Sequence, residues 1–469
     1  MGCSGSNKQS LGPKEESNNE NIVSVKTNYE TVLVMDTVIP NPGIKYSEVR
    51  KVDQSNPPVK INIVVKPEEK ELKLSDYYSK VKYIKLKHPF AEKGIGFLGN
   101  ASFKIDYEDR LTNFNGSGRN SSVHLTTENI VAGDPFFGYH CYDIEGDFIY
   151  SIVVMEELPD YNKENNKITA QVKPSVKLIF EPVILGNNCL VSTMTGRNFI
   201  IDFHNIKTQK TYLSRPYKGS PRLIFSGVGP MLIDAETFIS YRYNVLAKES
   251  EPFMHVFEMM GDTLCRFMNY NSLAKPSKAQ SYANPDIGSF YYYNDILTIR
   301  QSYNDTIYRM TSPNQLTAAY ILDFGDRKSD LHTALFGNKF GKAFPSEWFE
   351  TEKFIIITHH EFHDSLNNRN SVSYFFSYYD KNMNKLYSIP HIKKLDNFII
   401  SNDINDGIPF LFNNVRVNRN KLYTGYSKAQ LGDLIKHESF SSLPDIQQEK
   451  TRSMYEEMED GELLVMIIE

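Results

Sequence analysis

The densest cluster of side chains able to hold a metal is His359-His360-Glu361-Phe362-His363. Two imidazoles and a carboxylate form a ligand set for zinc that leaves one position open for substrate. The spacing is not the helical HExxH of metalloproteases, because a single residue separates Glu361 from His363. The preceding run, Phe354-Ile355-Ile356-Ile357, has strand character, and on a continued strand His359, Glu361 and His363 share one face. Same-face neighbours on a strand stand nearly 7 Å apart, an awkward span for three ligands on one ion. The expectation is therefore a polar strand end without a metal, and no cofactor is expected anywhere in the chain.

A second chemical motif is Gly94-Ile95-Gly96-Phe97-Leu98-Gly99, which matches GxGxxG. A dinucleotide site needs a helix directly after it, since the pyrophosphate rests on the helix N-terminus. The next residues, Ala101 to Tyr107, alternate as a strand does, so the motif reads as a glycine-rich turn. The aromatic runs Phe136-Phe137-Gly138-Tyr139 and Phe290-Tyr291-Tyr292-Tyr293, and the single Trp348, could stack on sugar rings if exposed. On alternating strands about half of each run faces inward, and core is the expected role. No GxSxG is present, and no Ser/His/Asp or Cys/His set can be assigned from spacing alone. Enzymatic activity is thus not expected, although the sequence does not decide it.

The first residues carry different chemistry. Met1-Gly2 followed by Ser6 fits an N-myristoylation pattern, with Cys3 then open to palmitoylation. Alternatively, Gly2-Cys3 ends a bacterial lipobox whose hydrophobic leader precedes a late start at Met1. Ser, Gly, Asn, Lys, Glu and Gln dominate up to Asn21, so residues 1–21 form a flexible tether under either reading. The other cysteines, Cys141, Cys189 and Cys265, form no CxxC pair. They read as small buried residues, with one disulfide left open.

These residues must be held by something, and the composition says by strands. The chain has 469 residues, 40% of them hydrophobic, with 29 Tyr and 29 Phe. Aromatics in that number suit a pleated surface. The net charge of −5 and the lack of a long basic run leave no phosphate-neutralising stripe for nucleic acid. No run of about 18 apolar residues suggests a membrane-spanning helix.

From Asn21 to about Lys70, short strand-like runs are split by prolines at 40, 42, 57 and 58. Residues 22–71 read as an N-terminal extension. Beyond them a strand–turn–strand unit recurs, starting at Tyr142, Phe203, Phe257, Tyr303 and Tyr379, at intervals of 61, 54, 46 and 76 residues. Asp, Asn and Gly in the turns accept the positive φ of tight hairpins. Each interval suits about four strands plus loops, which points to propeller blades, with a large β-sandwich as the alternative. Helical periodicity is confined to residues 427–436 and 445–457. The last run, Leu463-Leu464-Val465-Met466-Ile467-Ile468, is expected to pair inside the sheet system and close it.

Several segments resemble the six-bladed β-propeller lipoproteins of Bacteroidetes. Leu74-Ser75-Asp76 through Val81-Lys82-Tyr83-Ile84-Lys85-Leu86 is similar to their opening segment. Asn304-Asp305-Thr306-Ile307-Tyr308-Arg309-Met310 with Tyr320-Ile321-Leu322-Asp323-Phe324-Gly325 after it resembles a "DTIYRI…YILDFG" stretch. Asp406-Gly407-Ile408-Pro409-Phe410 and Lys421-Leu422-Tyr423 resemble the family's C-terminal part. The resemblance spans about 72–469 and implies an all-β, six-bladed β-propeller with an N-terminal extension and short C-terminal helices. It further implies export and a lipid on Cys3 that holds the protein at the bacterial outer membrane, on its periplasmic or surface face. The family carries no established activity and no catalytic residues to transfer. The expected function is binding of a glycan, peptide or protein partner at a propeller face. Action on a carbohydrate or lactone substrate, or a structural role without ligand, are the alternatives. Which ligand, and which oligomeric state, the sequence leaves open.

Overall fold

The computed structural model describes residues 58–469 with breaks, together with two-residue strands at Ser24–Val25 and Val32–Leu33. The breaks fall at 65–66, 94–96, 98–102, 108–109, 115–121, 135–136, 155–170, 173–176, 196–197, 217–229, 242–251, 262, 269–288, 302–303, 330–332, 334–339, 363–371, 390–398, 412–414 and 438. Cys3 and His363 lie outside the described residues.

Six antiparallel sheets follow one another along the chain and form the blades of a β-propeller. Blade 1 holds Ser122–Leu125, Asn129–Asp134, Gly138–Asp143 and Phe148–Val154, from inner to outer strand. Blade 2 has a split inner strand, Lys177–Ile179 and Val183–Leu185, and then Asn188–Thr195, Asn198–Asn205 and Lys210–Pro216. Blade 3 runs from Met231–Leu232 to Thr263–Met268 and blade 4 from Ser289–Tyr293 to Gln315–Asp323. Blade 5 runs from Ala343–Glu350 to Lys385–Ser388. The extra three-stranded sheet of Phe103–Tyr107, Arg110–Phe114 and Gln171–Val172 lies outside this series, and Phe103–Tyr107 is a strand where a dinucleotide site would need a helix.

Four of the five repeated units, those starting at 142, 203, 257 and 379, are the hairpin between the third and outer strands of blades 1, 2, 3 and 5. The unit at 303 is different. Its Asn304-Asp305 belongs to the connection between the second and third strands of blade 4, and the matching hairpin turns at Pro313-Asn314.

Blade 6 joins the two ends of the chain. Its strands are Arg416–Asn418, Lys421–Ser427, Glu462–Ile468 and Val81–Lys87. The C-terminal strand sits between Lys421–Ser427 and Val81–Lys87, in register from Ser427↔Leu463 to Leu422↔Ile468 and from Leu463↔Leu86 to Ile468↔Val81. The excursion between its second and third strands carries helices α1 (Lys428–Ile435) and α2 (Asp445–Glu457). Ser427 caps α1 reciprocally with Gln430, a capping box that satisfies two otherwise orphaned N–H groups.

The segment before residue 72 is tied to the ring where it is described. Val59–Asn62 adds a parallel fifth strand outside blade 4, and Glu68–Glu69 another outside blade 5. Leu72, Leu74, Tyr77 and Tyr78 then bury between blades 5 and 6 before the chain becomes the outer strand of blade 6. The Tyr77 hydroxyl donates to Asp380 Oδ2 at 2.6 Å. Residues 59–87 thus belt three consecutive blades and cover sheet edges that would otherwise offer unpaired groups.

Two buried imidazoles sit at the joint of blades 6 and 1. His88 and His140 stack edge-on at 4.9 Å among Phe90, Phe97, Phe137 and Phe148. The Phe90 N–H donates to His88 Nδ1 at 3.2 Å, which leaves the proton of the neutral ring on Nε2. His140 Nδ1 shares a hydrogen bond with Ser151 Oγ at 3.0 Å. Burial pushes His88 down to about 4 and His140, with His88 beside it, down to about 3. Both folded values lie below the unfolded value near 6.5, so their contribution is complete above 6.5 and is lost as the pH falls through about 4 and 3. Acid titration of unfolding free energy should therefore show stability declining from pH 6.5 downward, by a few kcal/mol in total at pH 4. His140→Phe should flatten that decline; a variant with the intact protein's pH profile would remove the imidazole pair as its cause.

Candidate functional site

Inner strands of a propeller surround an axial channel, and here that channel gathers side chains that no sequence motif links. Arg416 opens the inner strand of blade 6. Its Nη2 donates to Glu181 Oε1 at 2.7 Å. Glu181 lies at the break in the inner strand of blade 2, between Ile179 and Val183. Blade 1 stands between blades 6 and 2, so this ion pair spans the channel side of blade 1. Blade 1 contributes to the same spot: His124, on its inner strand, places Nε2 3.2 Å from the same Glu181 oxygen. Glu181 holds the Arg416 guanidinium firmly protonated, against the opposing effect of the protein packed around it.

Arg416 still exposes 48% of its side chain, against 23% for Glu181 and 14% for His124. A residue on an innermost strand, hemmed in by three blades yet open to solvent, is a wall residue of a water-accessible passage. Three residues along the chain, Arg419 Nη2 reaches Asp295 Oδ2 of blade 4 at 3.0 Å, skipping blade 5. Both turns that make this bridge depend on left-handed backbone, with φ of +53° at Arg419 and of +50° and +62° at Asn294 and Asp295. Asn and Asp tolerate that conformation, whereas Arg pays about 1 kcal/mol for it. The two arginines at the ends of one short stretch therefore bridge to blades on either side. Exposed pairs of this kind add only about 0–1 kcal/mol each to stability. Their effect is on the shape and charge of the passage.

Along the wall, Ser289–Tyr293 of blade 4 is half-buried at all five positions. Its hydroxyls are anchored: Tyr292 donates to the Leu232 carbonyl at 2.7 Å and Tyr291 to Glu350 Oε2 at 2.7 Å. The run packs against the neighbouring blades, in keeping with its expected core role: Phe290 lies on Tyr241 at 4.5 Å, and Arg309 and Lys381 cover the Tyr293 ring. Phe137, Tyr139 and Trp348 are buried as expected; Phe136 lies outside the described residues.

The histidine cluster at 359–363 is divided by its strand. His360 points away from its neighbours and shares a hydrogen bond with Ser346 Oγ at 2.8 Å. His359 and Glu361 share a face, and their side chains approach to 3.5 Å. Glu361 pairs with Arg327, which also donates to the Ile63 carbonyl of the N-terminal belt. His359 stacks on Phe375 at 4.9 Å, and burial lowers its pKa. No group of three or more His, Cys, Asp or Glu among the described residues is placed to hold a metal. Cys141, Cys189 and Cys265 are buried free thiols, and burial pushes Cys141 and Cys265 up to about 12. Such thiols are unreactive.

Sequence reasoning missed Arg416, Glu181 and His124. They lie on or at the break of three short inner strands far apart in the chain, and only ring closure brings them together. The one local signal was an arginine at each end of a four-residue stretch, Arg416-Val417-Asn418-Arg419.

A family model described as a domain of unknown function, DUF4933, matches residues 41–437. No curated protein matches the chain. Among solved structures, a candidate exported protein of Bacteroides fragilis is 10% identical, with 88% of this chain and 99% of that chain covered and a TM-score of 0.48. A DUF4221 family member from Bacteroides vulgatus is 8% identical over 84% of this chain and 98% of its own, with a TM-score of 0.34. BamB from Moraxella catarrhalis is 10% identical over 74% and 96%, with a TM-score of 0.29.

Proposed function

We propose that this chain, which belongs to the DUF4933 family of unknown function, is a binding protein of the bacterial cell envelope. In this reading it is exported and held at the outer membrane by a diacylglycerol on Cys3, with residues 1–21 as the tether. Its ligand, a glycan, peptide or protein segment, enters the axial channel. The observation that carries the reading is Arg416, walled by three blades and yet half open to solvent. A purely structural propeller gains nothing by keeping a charged wall residue solvated, since side chains can fill the axis.

Arginine-directed dicarbonyl labelling with mass spectrometry tests this. A ligand found by screening the soluble protein on a glycan and peptide array should protect Arg416 from modification several-fold. The same spectra read the mature N-terminus, where Cys3 should carry diacylglycerol in protein made from the full gene. No captured ligand, or a ligand that leaves Arg416 as reactive as before, would refute the channel as binding site. A myristoylated Gly2 would refute the anchor.

One observation favours a second reading. A His–carboxylate pair, His124 with Glu181, does converge on the channel, and such a pair can shuttle a proton during cleavage of a carbohydrate or lactone. Turnover of the captured ligand, lost in His124→Ala with binding retained, would establish it.

A further inference from the structure

We infer that the propeller rests on a lipid surface with one face, the one that carries its outer hairpin turns, through three apolar tips, Ile144, Met260 and Met383. This rests on the envelope reading for the membrane itself and adds how the body of the protein lies on it.

Each blade starts at its inner strand and runs outward through antiparallel pairs, so the turn between its first two strands and the turn between its last two share one face. Hydrogen bonds join the two kinds of turn. Met259 N–H donates to the Glu236 carbonyl at 2.7 Å in blade 3, and Lys381 N–H to the Lys353 carbonyl at 3.0 Å in blade 5. The outer hairpins of blades 1, 3 and 5 carry Ile144, Met260 and Met383 at their tips, 46%, 69% and 66% exposed. The two methionines are the most exposed large apolar side chains among the described residues. A turn is best served by Asn, Asp, Gly or Ser, and a side chain at its tip packs against nothing, so folding gives no reason for a large apolar residue there. Single exposed apolar residues are ordinary on a protein surface, but three at alternate blades of one face define a plane. The tips are also held still. Asp143 Oδ1 accepts from the N–H groups of Glu145 and Asp147 at 2.9 Å, and Asp380 Oδ1 from those of Asn382 and Met383 at 2.9 Å. Beside Ile144, the exposed Phe148 and Ile149 begin the outer strand of blade 1 and widen its apolar corner.

The choice of a lipid surface over a protein comes from where the chain joins the ring. Val59–Asn62 runs parallel to the outer strand of blade 4, Gln315–Asp323, which begins just after its hairpin turn on this face. Glu68–Glu69 does the same beside Lys385–Ser388 of blade 5. Both belt strands therefore lead away from the face, and the chain that carries Cys3 comes to the ring from the face's side. A membrane holding Cys3 is then present at high effective concentration, so weak contacts at three tips are enough to keep the face on it. The exposed charges of the same turns have both signs, with Glu145, Glu236 and Glu352 against Lys207, Lys210 and Arg419. A zwitterionic lipid surface meets such a mixture without large repulsion, whereas a strongly acidic or basic partner would meet its own sign.

The test is flotation of the full chain, unacylated at Cys3, with vesicles of phosphatidylcholine and phosphatidylethanolamine. The chain should bind them, and to the same extent in low and high salt. Met260→Glu combined with Met383→Glu should lower the partition coefficient about tenfold or more. Ile446→Glu, at an exposed position of α2 on the excursion from the other end of blade 6, should leave it unchanged. Met260→Trp should bind more tightly, and brominated lipid should quench its fluorescence; the native Trp348 is buried and gives no such signal. All variants should melt with the intact protein, which separates lost binding from lost fold. No vesicle binding, binding that disappears in high salt, an equal loss in Ile446→Glu, or an unquenched Met260→Trp overturns the inference. So does a dimer in solution that the double glutamate variant dissolves, since the tips would then be a contact between copies. If mature Cys3 lacks diacylglycerol while the unacylated chain still docks by its tips, only the anchor reading falls. If Cys3 carries the lipid and the tips stay in water, only the docking does.

Discussion

Removing residues 460–469 should leave a chain that does not fold into a stable propeller. The strand Glu462–Ile468 is buried along its whole length and is the third of four strands in blade 6. Its loss strips six large apolar side chains from the core, each worth about 1.5–3 kcal/mol when fully buried. It also uncovers two strand edges, those of Lys421–Ser427 and Val81–Lys87, inside the sheet. The summed loss is on the order of 10 kcal/mol, comparable with the whole net stability of a domain. Val81–Lys87 then loses the strand it pairs with, while Val59–Asn62 and Glu68–Glu69 keep their pairing to blades 4 and 5. Soluble yield and the far-ultraviolet circular dichroism melt measure the effect. Leu464→Ala is the graded version and should cost about 2–5 kcal/mol. A truncated protein that melts with the intact one would mean that the ring is closed by other contacts.

The second large effect is expected at Glu350, which is fully buried between blades 4 and 5. Its carboxylate accepts from Arg309 Nη2 at 2.7 and 2.8 Å, from Lys381 Nζ at 2.7 Å, from the Tyr320 hydroxyl at 2.9 Å and from the Tyr291 hydroxyl at 2.7 Å. Trp348 Nε1 in turn donates to Tyr291 at 2.6 Å, and Arg309 and Lys381 lie over the Tyr293 ring at 4.3 and 4.2 Å. Burial by itself would raise the Glu350 pKa, but Arg309 and Lys381 outweigh it and hold the group below its ordinary range. Glu350→Gln removes the negative charge and leaves two cations in a desolvated site. Deleting one partner of a buried ion network costs about 3–5 kcal/mol. Because the folded value is depressed, the intact network contributes fully above the usual glutamate range and loses that contribution as the pH falls through the lower folded value. Urea unfolding at pH 7 and at pH 3 reads both effects: the gap between the intact protein and Glu350→Gln should be wider at pH 7 than at pH 3. Replacing all three charges together by apolar residues of similar size should recover most of the stability. A Glu350→Gln protein within about 1 kcal/mol of the original at pH 7 would show that water or relaxation compensates the cations.

The sequence alone determined the local parts of this protein. Alternating strands with Asp, Asn and Gly turns marked the same hairpin in four blades, since strand period and turn conformation are set by residues within a few positions of each other. Helical periodicity marked residues 427–436, where α1 forms, for the same reason. The unit at Tyr303 shows the limit: turn residues look alike at both ends of a blade, so Asn304-Asp305 reads as an outer hairpin although it joins the second and third strands. The apolar run 463–468 demanded burial, but its partner Val81–Lys87 lies almost the whole chain away. The histidines at 359–363 are dense in sequence, and the alternation of a strand separates His360 from His359 and Glu361. The candidate site is the reverse case. Arg416, Glu181 and His124 come from inner strands too short to carry a pattern and meet only because a ring of six blades turns those strands toward one axis. Side-chain periodicity is written locally; which strands face one another across a channel is fixed by closure of the ring.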